Sequence, residues 1–468
     1  MDCSDSKQTE QYQAAKPFNS RSLIAIIYLC GMVLKNKDEK AILKKLGIDE
    51  LNPMQESAYK AITSYAEVVL LSPTGTGKTL AFLLPIIAQL NPEQKETQVL
   101  ILVPSRELAI QIEQVVREMG SGYKANAVYG GKAGSKDREE LKHPPAILIG
   151  TPGRVADHLR RGTIGIVEIK TLVIDEYDKS LEMGFAAEME EIVTALPNIK
   201  KKVLTSATQK VKIPAFVGIS NSKHLNFLKD ITIQLQLKTV VSPTEDKLKT
   251  LVQLLKHIGK KSGIVFCNLK DSIQKVSDYL IENNIDCVSF YGGLEQIDRE
   301  RALIKFRNGT SRLLIATDLA ARGIDVPEMD FIIHFELPAR PDEFIHRNGR
   351  TARMNSEGTA YILKWEEEIL PSFIAGADIL KLTTTNQDLT KEWETLYISA
   401  GRTDKISKGD IAGLFFKQGH LTKDELGMIE LKPDCTYVSV PSSKSKQLIQ
   451  QLNNSRLKKV KVRVSLLV

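Results

Sequence analysis

The octapeptide at 72–79, SPTGTGKT, sets a lysine and a threonine directly behind two glycines. Gly75 and Gly77 allow a tight turn whose N–H groups surround an anion. Lys78 then adds a point charge for β- and γ-phosphates, and the Thr79 hydroxyl is a ligand for Mg²⁺. The phosphate loop reads as Ser72, Thr74, Gly75, Thr76, Gly77, Lys78 and Thr79, with serine where the strict G-x-x-x-x-G-K-[ST] pattern has its first glycine. A second cluster, VIDEYD at 173–178, supplies carboxylates: Asp175 to hold Mg²⁺ with Thr79, and Glu176 to orient an attacking water. A third, HRNGRTAR at 346–353, spaces Arg347, Arg350 and Arg353 three apart. On a helical turn at least two of these would point the same way, and like charges do so only before a shared anion. An arginine on a γ-phosphate raises phosphoryl transfer by about 10³–10⁵, roughly 4–7 kcal/mol of barrier. Arg350 and Arg353 are the candidates, and a grip on nucleic acid alone is the competing reading. The chemistry implied is hydrolysis of ATP with Mg²⁺.

Positioning these groups requires strands that end where the chemistry begins. EVVLL runs into SPTGTGKT, QVLILV into PSRELA, AILIG into TPGR, TLVI into DEYD and KKVL into TSAT. GIVF, RLLIA and FIIHF repeat the habit later. Amphipathic helical stretches lie between, for example at 106–117 and 271–282. Apolar strands alternating with helices predict parallel sheets covered on both faces, with ligands beyond the carboxyl ends of the strands. The expected architecture is α/β: two parallel-sheet domains at 35–222 and 235–370, so that the lysine and the arginines approach one nucleotide from different domains and catalysis requires closure.

The composition is that of a soluble globular chain, 42% hydrophobic and 26% charged over 468 residues. Five cysteines (3, 30, 267, 287, 435) form no CxxC pair, which predicts a reducing, cytoplasmic setting without structural zinc. Residues 395–468 carry 13 of the 64 Lys and Arg but only 6 of the 57 Asp and Glu, so the whole net charge of +7 sits in this tail. That suits a polyanion-binding module, or a merely solvated basic face. Residues 1–34 are expected to be an extension without catalytic role, with Met32 as an alternative start. Its apolar run, LIAIIYLCGMVL, is shorter than the ~20 residues that span a bilayer. No membrane association is expected, and the chain is expected to act as a monomer.

The ordered set SPTGTGKT, PSRELA, TPGR, DEYD, SAT, ATDLAARGID and HRNGRTAR resembles the DEAD-box RNA helicases of superfamily 2 over about 45–365. The resemblance implies two RecA-like domains with ATP in the cleft and single-stranded RNA across both. It implies that Gln55 reads adenine, Asp325 contacts ribose, and Arg350 and Arg353 are arginine fingers. Ser206 and Thr208 would couple hydrolysis to RNA rearrangement, and His346 would link the domains. Arg106, Gly131, Thr151 and Arg154 would contact RNA from the first domain, and Gln296, Arg299 and Thr317 from the second. The sequence departs from the family in FYGGLEQ, where His-Gly-Asp is common, and in Leu51, where proline is usual. Tyr177 stands where the family has alanine, which predicts a roomier neighbourhood around the acidic box.

From 395 the order β-α-β-β-α-β suggests a small α+β, RRM-like domain, joined by a linker at 371–394. Alternation turns Leu396, Ile398, Val438, Val440, Val460, Val462 and Val464 toward the helices. Tyr397, Tyr437, Lys461 and Arg463 then share the open face as an RNA platform, while Phe415 and Phe416 read as helix core. The tail, LYISAG…DKISKGDIAG, is similar to the RNA-binding domain of the DbpA (DEAD-box protein A) branch. This implies an RNA-stimulated ATPase that unwinds RNA locally during ribosome assembly, anchored on large-subunit ribosomal RNA. An ATP-gated RNA clamp and a DNA translocase are the alternatives.

Overall fold

The computed structural model describes residues 39–131, 134–209, 211–228, 234–318, 329–351, 357–383 and 389–467. The first domain is a seven-stranded parallel sheet of β1 (Glu67–Leu71), β2 (Val99–Leu102), β3 (Ala125–Val128), β4 (Ile147–Gly150), β5 (Thr171–Ile174), β6 (Lys201–Ser206) and β7 (Lys223–Asn226). Their spatial order is β3-β4-β2-β5-β6-β1-β7. The central strands are apolar on both faces because helices cover both, and each fully buried Leu, Ile or Val contributes about 1.5–3 kcal/mol.

The second domain repeats the plan with β8 (Gln234–Ser242), β9 (Gly263–Phe266), β10 (Val288–Phe290), β11 (Leu313–Ala316), β12 (Phe331–His334), β13 (Glu357–Trp365) and β14 (Asp378–Ile379). These are ordered β10-β11-β9-β12-β13-β8-β14, all parallel. β14 and its surroundings differ from the expected linker at 371–394. Ile374 is buried with Phe344 and Ile362, and Leu380, Leu382 and Leu389 pack on the second core. Residues 371–383 belong with the second domain, and β14 is its edge strand, two residues long and too short to announce itself.

The third domain is an antiparallel sheet of β15 (Trp393–Ile398), β16 (Ile429–Leu431), β17 (Thr436–Pro441) and β20 (Val464–Leu466), ordered β16-β17-β15-β20. Helices Lys408–Lys417 and Ser442–Leu452 cover one face. Ser407 starts the first of them with a reciprocal cap to Asp410. A separate hairpin of β18 (Arg456–Leu457) and β19 (Val460–Lys461) precedes β20. Leu396, Ile398, Val438, Val440, Val462 and Val464 form the core with these helices, and Val460 is half-buried against it.

Candidate active site

β1 delivers the chain to the phosphate loop, and its ladder with β6 continues one residue further, Ser72 N donating to Ser206 O at 3.0 Å. Gly75 and Gly77 sit at φ 82° and 84°, the left-handed region that disfavours side chains. A Cβ at Gly77 would also meet Gln55 Nε2 at 2.4 Å. Ser72 is fully buried, its hydroxyl 2.9 Å from that of Thr76, so it braces the loop where the strict pattern has glycine. Lys78 opens the helix Lys78–Ile87, and its Nζ donates to Ser72 O (2.7 Å) and Pro73 O (2.8 Å). Burial lowers its pKa, while the Glu176 and Asp175 charges oppose that and Arg350 adds to it. Thr79 is half-buried in the first helical turn, and Thr74 in the loop.

Gln55 fixes the loop from outside. It is the third residue of the helix Pro53–Ser64, where its Oε1 accepts from Asn52 N and its backbone N donates to Asn52 Oδ1. Its Nε2 donates to Gly77 O at 3.3 Å, and Asn52 Nδ2 donates to Thr76 O at 3.1 Å. Asn52 is a contact that the sequence reading missed. Its signal was the Asn-x-x-Gln capping spacing.

β5 and β6 align Ile174 with Leu204, so Asp175 emerges beside Thr205. The Thr205 hydroxyl donates to Asp175 Oδ1 and accepts from Glu176 N at 3.2 Å. Glu176 turns at φ 49°. Burial raises the pKa of both carboxyls, and Lys78 lowers both. Thr208 Oγ1 donates to Asp178 Oδ2 at 3.2 Å, and the Ser206 hydroxyl bonds both Thr208 O and Thr208 N. The SAT segment is thereby joined to the acidic box. Thr205 and Asp178 were not read from the sequence, although both are immediate neighbours of residues that were. Tyr177, expected to need extra room, is buried in the core beneath the sheet, and its hydroxyl donates to Val211 O at 3.3 Å.

The second domain meets this loop directly. Thr74 Oγ1 donates to Gly349 O at 3.3 Å, and the charge of buried Arg350 acts on Lys78 and Glu176. The helix Pro341–Asn348 stops at Gly349, so the helical spacing of the three arginines does not persist. Arg347 faces its own domain instead, donating to Asp318 Oδ1 (2.8 Å), Asn268 Oδ1 (2.7 Å) and Glu336 O (2.7 Å) beside the Phe266 ring. Arg347 is thus not one of the arginines that face the phosphate loop, and Arg350 is. His346 is buried in the same helix. Arg353 and Asp325 lie outside the described residues, as does the extension at 1–34.

The candidate RNA residues form a second seam. Arg106, first in the helix Arg106–Met119, donates from Nη1 to Gln296 Oε1 at 3.2 Å, and Arg299 pairs with Glu107 at 2.8 Å. Gly131 sits against Arg106, where a Cβ would lie 2.6 Å from Nη1. Thr151 is the buried N-cap of the helix Pro152–Arg160, and Arg154 donates to Asp137 Oδ2 from Nε (2.9 Å) and Nη2 (2.7 Å). Thr317 is half-buried just beyond β11. Gln296, Arg299, Arg106 and Gly131 are brought together, and Arg154 is held by its own domain.

The chain matches three family descriptions: DEAD/DEAH box helicase over 52–215, helicase conserved C-terminal domain over 246–355, and DbpA RNA binding domain over 395–466. The ATP-dependent RNA helicase DbpA of Escherichia coli (strain K12) is 33% identical over 440 residues, spanning 91% of this chain and 96% of that one. The chain belongs to the DEAD-box RNA helicases. DbpA of Bacillus subtilis (strain 168) is 30% identical over 459 residues, covering 90% and 96% of the two chains. Among solved structures, S. cerevisiae Dbp5 bound to RNA and ADP BeF3 superposes with a TM-score of 0.63 at 27% identity, covering 72% of this chain and 88% of that one. Mss116p bound to ssRNA and AMP-PNP gives 0.66 at 26%, with coverages of 74% and 78%.

The helicase is thus an ATP hydrolase with two RecA-like domains and an RNA-binding tail. Among the described residues, no helix is long and apolar enough to cross a membrane, and no group of three or more His, Cys, Asp or Glu could hold a metal ion. The tail corrects the expected platform. Tyr397 and Tyr437 do pair across β15 and β17, rings 5.9 Å apart, and Arg463 lies near Tyr397. Lys461 sits on the separate β18–β19 hairpin, outside this sheet. The same face is partly covered by the second domain: the Thr395 and Thr310 hydroxyls are 2.7 Å apart and both buried, and Ser439 Oγ donates to Asn308 O at 2.7 Å. Arg307 pairs with Glu430, and Lys432 with Glu300 at 2.7 Å. Phe415 is core as expected, whereas Phe416 is exposed.

Proposed function

We propose that this helicase uses ATP to separate short RNA duplexes locally, with its tail anchored on large-subunit ribosomal RNA during ribosome assembly, in the cytoplasm and as a monomer. The observation that carries the reading is the approach of Arg350 to Lys78 and Glu176 across the seam between two domains. A triphosphate entering there takes Lys78 away from the Ser72 and Pro73 carbonyls, and its terminal phosphate is gripped from opposite sides by Lys78 and Arg350, with Arg353 as the second finger. Gln55 holds the loop and reads adenine, and Asp325 holds ribose. Glu176 orients the attacking water and takes up its proton.

Thr79 and Asp175 fit Mg²⁺, a hard cation that takes few protein oxygens and keeps waters and phosphates. The two buried carboxyls beside Lys78 favour a dication there, since their own burial disfavours ionisation. When bound, the ion neutralises charge on the β- and γ-phosphate oxygens.

Closure brings Arg106, Gly131, Thr151 and Arg154 opposite Gln296, Arg299 and Thr317 on one RNA strand. Ser206, Thr208 and His346 relay the nucleotide state to that seam. ATP and RNA together favour the closed form, which bends the strand, and hydrolysis releases it. Parting a few base pairs needs about 1.4 kcal/mol per stacked step, within the range of one such cycle. The tail's tyrosines and Arg463, with Lys461 on its hairpin, add RNA affinity outside the cleft.

ATP turnover measured with ribosomal RNA, unrelated RNA and no RNA tests the reading, together with strand displacement. The expected order of turnover is ribosomal above unrelated above none, and deletion of 395–468 should erase only the first difference. Turnover with no RNA dependence would overturn the proposal. RNA retention without displacement would make the protein a clamp.

A further inference from the structure

The acidic box of this chain reads Asp-Glu-Tyr-Asp, with an aromatic where the family it resembles has a methyl group. The Tyr177 ring is 3% exposed and belongs to the same core as Leu71, Ile174, Leu204 and Val217. Alanine at 177 would leave most of that volume unfilled. The hydroxyl reaches past the core to Val211 O, in the segment that follows the SAT residues. Val211 itself and Ile213 pack on this core as well. Asp178, the next residue, is already bonded to Thr208. Two consecutive residues of the box therefore hold two points of one downstream segment, three residues apart. Gln209, between those points, accepts from Asn226 Nδ2 on β7, the last strand before the chain leaves for the second domain.

We propose that Tyr177 is a positioning residue: a second tether, beside Asp178–Thr208, that makes Val211 and Ile213 follow the acidic box when the nucleotide state changes. The inference rests on the function proposed above. It assigns to position 177 a part in transmission, not in the chemical step, because the hydroxyl is bonded to Val211 O, beyond the SAT residues. Burial and the Asp178 charge raise the Tyr177 pKa, so the hydroxyl remains a donor through the neutral range.

Tyr177→Phe separates the tether from the packing, since the ring stays and only the donor is lost. Three quantities are read for the full chain and this variant: thermal midpoint, RNA-stimulated ATP turnover, and the ratio of single-stranded RNA affinities with a non-hydrolysable ATP analogue and with ADP. The expected result is a midpoint lowered by no more than about 2–4 °C, the cost of one neutral hydrogen bond, with unchanged turnover at saturating RNA and an affinity ratio reduced about fivefold. Tyr177→Ala should lower the midpoint too, and so serves as the packing control. An unchanged ratio in Tyr177→Phe overturns the inference, as does an equal fall in all three quantities, which is what a purely structural residue gives. A wild-type ratio of one would remove the proposed function and the inference together. That outcome differs visibly from a coupled wild type with an equally coupled variant.

Discussion

Arg350 and Lys78 repel each other, and the acidic box offsets this: Glu176 and Asp175 favour the charged form of Lys78, and Arg350 favours the charged form of Glu176. An anion of high charge relieves that arrangement. Arg350→Ala should therefore lower ATP turnover by about 10³, with the midpoint of unfolding little changed, as a steady-state phosphate-release assay would record. An activity loss of less than tenfold would mean that the guanidinium does not reach the phosphate. Buried His334 offers a test of a different kind. It stacks near Phe344 and Phe266, with Nε2 3.1 Å from Asn348 Oδ1. Burial first and the Arg347 charge second push its pKa down to about 3, from an ordinary 6.5. Between those values the unfolded chain binds a proton that the native one refuses, so stability falls as the pH drops below about 6.5 toward 3. His334→Gln should flatten that dependence by up to one proton, measured as denaturant midpoints from pH 7 to pH 4.5. An unaltered slope would show that His334 is charged in the fold.

Elements were legible where burial was complete and obscure where it was not. EVVLL, VLIL and GIVF declare central strands because helices on both faces demand apolar residues at successive buried positions, from Val68 onward in the first of them. KHLN and DI, the edge strands β7 and β14, carry no such demand and gave no signal. The cleft residues of the first domain were legible from motif order, but their bracing by Asn52 and Thr205 depends on registers between distant segments. In the tail, VKVRVSL alternates throughout, yet its ladder breaks. Val462 N donates to Ser455 O and Arg463 N to Ser399 Oγ, so one alternating run serves two sheets. Alternation fixes which side a residue faces but not which strand it pairs with, and that is how Lys461 was assigned to the wrong sheet. Nor does it say what covers the open side. Here the cover is the second domain, through the Thr310–Thr395 pair. Valine at either position alone leaves a buried hydroxyl without its partner, costing about 1–3 kcal/mol, whereas valine at both removes the polar pair and should be nearly neutral. Limited proteolysis of the seam, or its unfolding transition, should show each single variant loosened and the double variant restored. Additive losses would mean that the hydroxyls are not partners.

At the scale of the whole molecule, the first two domains meet, among the described residues, through polar contacts: Thr74 to Gly349 at the phosphate loop, and Arg106 to Gln296 and Glu107 to Arg299 along a second line. Such contacts are modest individually, which suits the opening and closing that the proposed cycle requires. Gly349 shows how close the approach is. Its φ of −66° and ψ of 5° suit any residue, so alanine brings no backbone penalty. Its Cβ would, however, lie 2.5 Å from Thr74 Oγ1 in the other domain. Gly349→Ala should therefore weaken closure specifically, reducing turnover at subsaturating RNA about tenfold, equivalent to ~1.4 kcal/mol, with little change in thermal midpoint. Shortening the opposing side chain by Thr74→Ala in the same background removes the collision and should recover most of the loss, although it also sacrifices the hydrogen bond to Gly349 O. Recovery identifies the seam as the origin of the defect, because the two residues belong to different domains and meet only when those domains are closed. Failure to recover would place the defect within the 346–350 turn, where the added methyl also approaches Ile345 O at 3.4 Å.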